Sequence, residues 1–173
     1  LLDSQKDNKE RNILGQFSTP FLLAKEMAEY VLSLEHETPI RFLEPSIGTG
    51  VFFSALKQST NVAKAVGYEI DPHYFNPTRS LWAKYDLELI RGDFFKQNAN
   101  RDFNLILANP PYTRHHHIDN DAKKYLKEKI YREFGITISG LSGLYCYFLI
   151  LSTLWLKEGG LSCWLIPSEF LDV

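Results

Sequence analysis

Asn109-Pro110-Pro111-Tyr112 directly follows an apolar run and offers the most specific chemistry in the 173-residue chain. Two prolines fix the loop backbone, so a side-chain amide oxygen and an adjacent main-chain carbonyl can be held as a preorganised pair of acceptors. An aromatic amine has two N–H donors to offer such a pair. Bonding both protons draws the nitrogen lone pair out of the ring and toward an electrophile. Tyr112 adds a face on which a base can stack, worth about 1–3 kcal/mol. Taken alone, the same four residues also make a rigid structural turn.

Three acidic residues strengthen the chemical reading. Glu44 opens the segment Glu44-Pro45-Ser46-Ile47-Gly48-Thr49-Gly50, whose glycines let a ligand approach the backbone. A dinucleotide fingerprint would want a further glycine where Phe53 stands, so that ligand class is demoted. Glu69, followed by Ile70, closes a second apolar run where a doubly wound sheet places a carboxylate for ribose hydroxyls. Asp93 follows a third run, with Phe94 beside it to cover a ring face. Each feature alone is bland: a packing turn, a solvated strand end, a Gly-Asp turn.

Four short apolar runs must carry these groups: Arg41 to Glu44, Ala65 to Glu69, Leu87 to Arg91 and Asn104 to Ala108. Helical patterns separate them, one through Val51, Phe52, Ala55 and Leu56 and another around Tyr74 to Tyr85, its start weakened by Pro77. A helix through Leu23, Met27, Tyr30, Val31 and Leu34 precedes them, with Thr19 as its N-cap and Pro20 as its first residue. A polar, basic stretch follows Tyr112 and turns helical from Asp121 to Phe134. A buried apolar helix from Leu144 is expected to stop at Gly159-Gly160, before a fifth strand from Leu161 to Ile166. Strand and helix alternation predicts an α/β fold: a Rossmann-like, mostly parallel sheet with helices on both faces. The three acidic residues and the Asn109 loop then share the carboxyl edge, where open α/β sheets bind ligands.

The formal net charge is −2, so no general attraction to nucleic acid follows, and any such affinity must come from a local patch or another segment. The two cysteines, Cys146 and Cys163, lie in apolar runs and read as core residues of a reducing compartment, the cytoplasm. The apolar stretch from Leu144 to Leu156 is too short to cross a bilayer, so no membrane partner is expected. Residues 1–13 form a polar segment without an initiator Met or signal-peptide zones, and the chain reads as a piece of something longer, cut after its fifth strand. Arg114-His115-His116-His117 lacks the second ligand cluster of a metal site, with His36 and His73 in other segments. A solvated loop beside the catalytic mouth is the better account, with Arg114 toward phosphate.

The ordered succession of Gly15-Gln16-Phe17-Ser18-Thr19-Pro20, Glu44-Pro45-Ser46 with Gly48 and Gly50, Glu69, Asp93-Phe94, Asn109-Pro110-Pro111-Tyr112 and Gly160 to Pro167 resembles the gamma class of amino-DNA methyltransferases. Those enzymes belong largely to restriction-modification and phage-defence systems, and the likeness covers about Leu14 to the C-terminus. It implies a domain over residues 14–173 that binds S-adenosyl-L-methionine. Thr19, with Pro20, would meet the methionine carboxylate; Glu44, Pro45, Ser46, Gly48 and Gly50 would line the methionine arm. Glu69 and Ile70 would hold the ribose end, Asp93 and Phe94 the cofactor adenine. Asn109 and Pro110 would accept from the N6 amine of an adenine flipped out of double-stranded DNA, with Pro111 stiffening the loop and Tyr112 stacking on the base.

The family continues with a closing hairpin and a target-recognition domain that this sequence lacks. The uncovered sheet edge would favour pairing with a second copy. Rival substrates are cytosine N4, a protein glutamine amide and a guanine amine of ribosomal RNA. A cofactor-binding subunit without activity is the non-enzymatic alternative.

Overall fold

The computed structural model describes residue 7, residues 13–34 and residues 39–168. Most of the polar segment 1–13 and His36 lie outside the described residues. Five strands, β1 (Ile40–Glu44), β2 (Val62–Glu69), β3 (Glu88–Arg91), β4 (Phe103–Ala108) and β5 (Leu156–Trp164), form one sheet in the order β3-β2-β1-β4-β5. Every neighbouring pair is parallel. The expected Rossmann-like architecture is therefore present.

Helices precede β1 and fill every crossover but that from β3 to β4, which has only a 3-10 turn at Phe94–Lys96. They are α1 (Phe21–Leu34), α2 (Val51–Ser59), α3 (Pro72–Leu81), α4 (Asn120–Phe134) and α5 (Leu144–Ser152). The chain steps outward from β1 to β3 and then returns to lay β4 on the other side of β1. That reversal sends the later helices to the opposite face if crossovers keep their usual hand. The two cores follow suit. Ala24, Ala28 and Val31 of α1 and Phe52, Ala55 and Leu56 of α2 pack with Phe42, Leu105 and Leu107. Leu126 and Ile130 of α4 and Tyr147, Phe148 and Leu151 of α5 pack with Leu43, Val66 and Ile106. Alternate residues of β4 thus enter different cores, and all six of its residues are buried, which is why the strand reads as an apolar run broken only by Asn104.

At the amino edge, Asp102 accepts from Lys64 Nζ at 2.8 Å and its side chain also pairs with Arg41. Asn104 Oδ1 accepts from the Arg41 amide at 2.7 Å. Three strands are thereby fixed at the end remote from the acidic groups.

Several boundaries differ from the sequence reading. The first bond of α1 runs from the Ala24 amide to the Pro20 carbonyl, so Pro20 flanks the helix and Thr19 is not its cap. The helix α3 starts at Pro72, capped by the Asp71 side chain accepting from His73 N at 2.9 Å, and Pro77 lies within it. Gly159 and Gly160 do not stop α5. That helix ends at Ser152, a short 3-10 turn follows, and β5 has already begun at Leu156. The glycines occupy a bulge: Phe103 pairs with Leu156 but Leu105 with Leu161. Among the described residues, no helix is long and apolar enough to cross a membrane.

Candidate active site

The switch in strand order opens a crevice beyond the carboxyl ends of β1 and β4, the expected ligand site of such a sheet. A cavity of about 670 Å³ occupies it. The turn after β1 forms its floor. Its carbonyls are drawn away by α3: Thr78 Oγ1 donates to Gly48 O at 2.6 Å and Trp82 Nε1 to Thr49 O at 3.0 Å. Its Gly48 amide donates to Glu69 Oε2 at 3.0 Å. Gly50 sits where an added Cβ would come within 2.5 Å of the Trp82 indole nitrogen. Its φ of +76° and that close approach both call for glycine. Sequence patterns gave no hint of Thr78 or Trp82, because neither belongs to a motif and both act across thirty residues of chain.

Two buried carboxyl groups, Glu69 and Glu44, lie on the cavity wall. Glu69 is 8% exposed and accepts from the amides of Gly48 and Asp71, one on each oxygen. Each oxygen keeps a second lone pair. Burial raises the Glu69 carboxyl above its ordinary value, against the lowering effect of those amides. Glu44 is 2% exposed, and its Oε2 has no hydrogen-bond partner. Burial, then the neighbouring Glu69 charge, holds its carboxyl well above the usual range. An unpaired buried carboxylate is costly, so this wall is suited to a ligand that brings positive charge. Among the described residues, no group of three His, Cys, Asp or Glu side chains is placed to hold a metal ion.

Asn109 faces the same cavity from the end of β4. Its Nδ2 donates to the Phe17 carbonyl at 2.9 Å and to Thr19 Oγ1 at 3.0 Å. A carbonyl can only accept, so the amide cannot be turned the other way round without loss. Its Oδ1 is buried and unpartnered. The segment before α1 clamps the rest of the loop as well: Tyr112 N donates to Gly15 O at 2.9 Å, and Thr113 Oγ1 to Leu14 O at 2.8 Å. Gly15 lies so close that an added Cβ would stand 2.3 Å from the Tyr112 nitrogen. Tyr112 donates its hydroxyl to Leu165 O at 3.0 Å, and its ring lies 5.8 Å from that of Phe17. Burial pushes its phenol up to about 12, so it stays a donor across the working pH range.

A sequence model of the Eco57I restriction-modification methylases matches residues 24–172. The chain belongs to that family. It is 30% identical to the type II methyltransferase M.AccI of Acinetobacter calcoaceticus over 95% of this chain and 30% of that protein. It is 33% identical to M.TthHB8I of Thermus thermophilus over 91% of this chain and 36% of that protein. The chain thus spans about a third of the length of these curated relatives. In fold it is similar to the methyltransferase subunit of a type I restriction-modification system from Streptococcus thermophilus, with TM-score 0.68 and 18% identity over 87% of this chain and 34% of that one. A Listeria monocytogenes protein described as a class I S-adenosylmethionine-dependent methyltransferase gives TM-score 0.70 and 14% identity over 93% and 49%.

Within this Eco57I-family cavity, the wall includes Thr19, Glu44, Pro45, Ser46, Gly48, Glu69, Ile70, Asp93, Phe94, Asn109 and Pro111. Pro20, Gly50, Pro110 and Tyr112 are not on it. Ile70 is 64% exposed, an apolar face at the cavity mouth. Asp93 accepts from Phe95 N at 2.9 Å. The Phe94 ring is committed to the core, stacked on Phe148 and Trp155 at centroid distances of 5.8 and 5.4 Å. Tyr125 and Lys129 of α4, whose role at this turn no motif marks, both donate to the Phe95 carbonyl. They secure the turn that carries Asp93.

Proposed function

We propose that this chain forms the cofactor pocket and catalytic loop of a DNA methyltransferase acting on the N6 amine of a flipped-out adenine in double-stranded DNA. The observation that carries the reading is the state of Asn109. Its amide nitrogen is held by Phe17 and Thr19, while Oδ1 remains a buried acceptor without a donor on the cavity wall. A buried acceptor left unpaired costs about 1–3 kcal/mol, and an incoming amine N–H would relieve that cost.

The orphaned Glu44 Oε2 fits S-adenosyl-L-methionine, which carries an ammonium and a sulfonium. In this reading Glu44, Ser46 and Gly48 hold the methionine arm with Thr19 at its carboxylate, Glu69 and Ile70 hold the ribose end, and Asp93 holds the adenine, with Phe94 only backing the wall from the core. When bound, the cofactor would supply an electrophilic methyl group: a new N–CH3 bond would replace the S–CH3 bond, leaving a neutral thioether, and the amine nitrogen would give up one proton to solvent. Asn109 Oδ1 and the Pro110 carbonyl accept hydrogen bonds from the two amine N–H groups and orient the lone pair. Most of the acceleration then comes from positioning in a site closed to water. A duplex adenine cannot reach such an acceptor pair while stacked, so the base must leave the helix.

The full-length protein should be incubated with methyl-labelled cofactor and separate DNA, RNA and protein pools. Label is expected in DNA alone, and nucleoside mass analysis should find it on N6 of adenine. Label on cytosine N4 would correct the base. Label confined to protein or RNA would overturn the proposal.

A further inference from the structure

The proposed reaction leaves Arg114-His115-His116-His117 without a task. This stretch begins five residues after Asn109, at most about 18 Å of extended chain away. Its root is fixed to the catalytic loop: Thr113 donates its hydroxyl to Leu14 O and accepts at its carbonyl from the Leu144 amide at 2.9 Å. A 3-10 turn then displays the three imidazoles, with ring centroids 5.2 and 4.1 Å apart in succession. His117 and Ile118 continue the cavity wall.

We propose that Arg114, His116 and Lys123 grip the phosphate backbone of the strand that carries the target base. This rests on the DNA reading above. Both Arg114 and His116 are exposed, and among the described residues Arg114, Lys123, Lys124 and Lys127 have no carboxylate paired with them. Asp119 between them caps α4, its Oδ2 accepting from the amides of Asp121 and Ala122 at 3.0 Å each, and Asp121 lies beside it on the cavity wall. Partial desolvation, then the charges of His117, His115, Arg114 and Lys123, holds the His116 imidazole below its ordinary value. No carboxylate is among those influences. Such a neighbourhood repels a metal cation and attracts an anion.

Guanidinium, imidazole and ammonium groups are all phosphate donors, and Arg can bond two phosphate oxygens at once. With a formal net charge of −2, the chain offers DNA no general attraction, so any attraction within this chain comes from a local patch. Because Thr113 is tied down, phosphates held by Arg114 are placed at a set position relative to Asn109. The contact orients the strand for base extrusion and carries no sequence information.

The test uses the full-length protein and a short fluorescent duplex of arbitrary sequence, with affinity measured across a range of NaCl concentrations. Each phosphate contact contributes a slope of about −0.9 in log K against log salt. Arg114→Ala and Lys123→Ala should each make the slope shallower by about one, the double variant by about two, and Arg114→Glu should weaken binding further. Lys57→Ala, at the far end of α2, should leave it unchanged. Cofactor affinity should be unaltered in every variant. A wild-type slope in both single variants and the double variant overturns the patch while leaving DNA methylation standing. A wild-type protein that methylates only RNA or protein overturns the underlying reading, and the patch as a DNA contact falls with it.

Discussion

The Asn109 amide nitrogen lies 3.0 Å from the Thr19 hydroxyl oxygen, although ninety residues of chain separate them. The hydroxyl accepts that proton and still has its own to donate. Thr19 can therefore orient the amide and meet the cofactor carboxylate together. Thr19→Ser should keep single-turnover methylation at saturating cofactor within about twofold. Thr19→Val, which removes one neutral hydrogen bond of about 1 kcal/mol, should slow it about fivefold or more. Equal rates in the two variants would show that the hydroxyl does not set the amide.

Asn109→Ala removes the buried acceptor itself. Loss of one preorganised acceptor at a site of developing charge typically costs about a hundredfold or more. Calorimetry should show cofactor affinity changed by no more than a few-fold. Undiminished turnover would remove Asn109 from the chemistry.

The carboxyl of Glu44 is pushed up by burial and by Glu69. A folded-state value above the unfolded one favours the protonated fold, so its contribution to stability is full below the unfolded value and is lost as pH rises through the folded one. The free full-length protein should accordingly lose thermal stability across that rise, and Glu44→Gln should flatten the loss. A cationic cofactor favours the carboxylate, so its binding should release protons in the same window. Titration calorimetry in buffers of different ionisation enthalpy would measure the release, and Glu44→Gln should abolish it.

Gly15→Ala tests the clamp. Gly15 has φ +64°, and the added Cβ would collide with the Tyr112 and Thr113 backbone at 2.3–2.4 Å. Destabilisation of about 2 kcal/mol or more is expected. The displaced loop should cut methylation about a hundredfold, as small misplacements of reacting groups do. A variant with wild-type melting temperature and rate would mean that the segment yields at no cost.

The sheet was legible because β1, β2 and β4 are buried apolar runs and each ends in a group of distinct chemistry, Glu44, Glu69 or Asn109. Helix ends were less so. Leu144 to Leu156 is apolar but for Ser152 and Thr153, which suits a buried helix and a buried strand equally, and only the β4 pairing shows that Leu156 has already joined the sheet. In the site, motif residues could be read but their supports could not. Thr78, Trp82 and Lys129 reach it from helices whose sequence speaks only of amphipathic packing. Phe94 shows the converse: a motif position drawn toward a ligand's ring on paper spends its own ring on Phe148 and Trp155.

The bonds from Leu14, Phe17 and Thr19 to the loop after β4 close chain segments of 90 to 99 residues. Contacts of that sequence separation are slow to form. A seam of so few bonds can also open without the sheet. Amide exchange at Tyr112 should then outpace exchange within β4, and a protein whose sheet is intact could still pass through intervals in which its acceptor is unset.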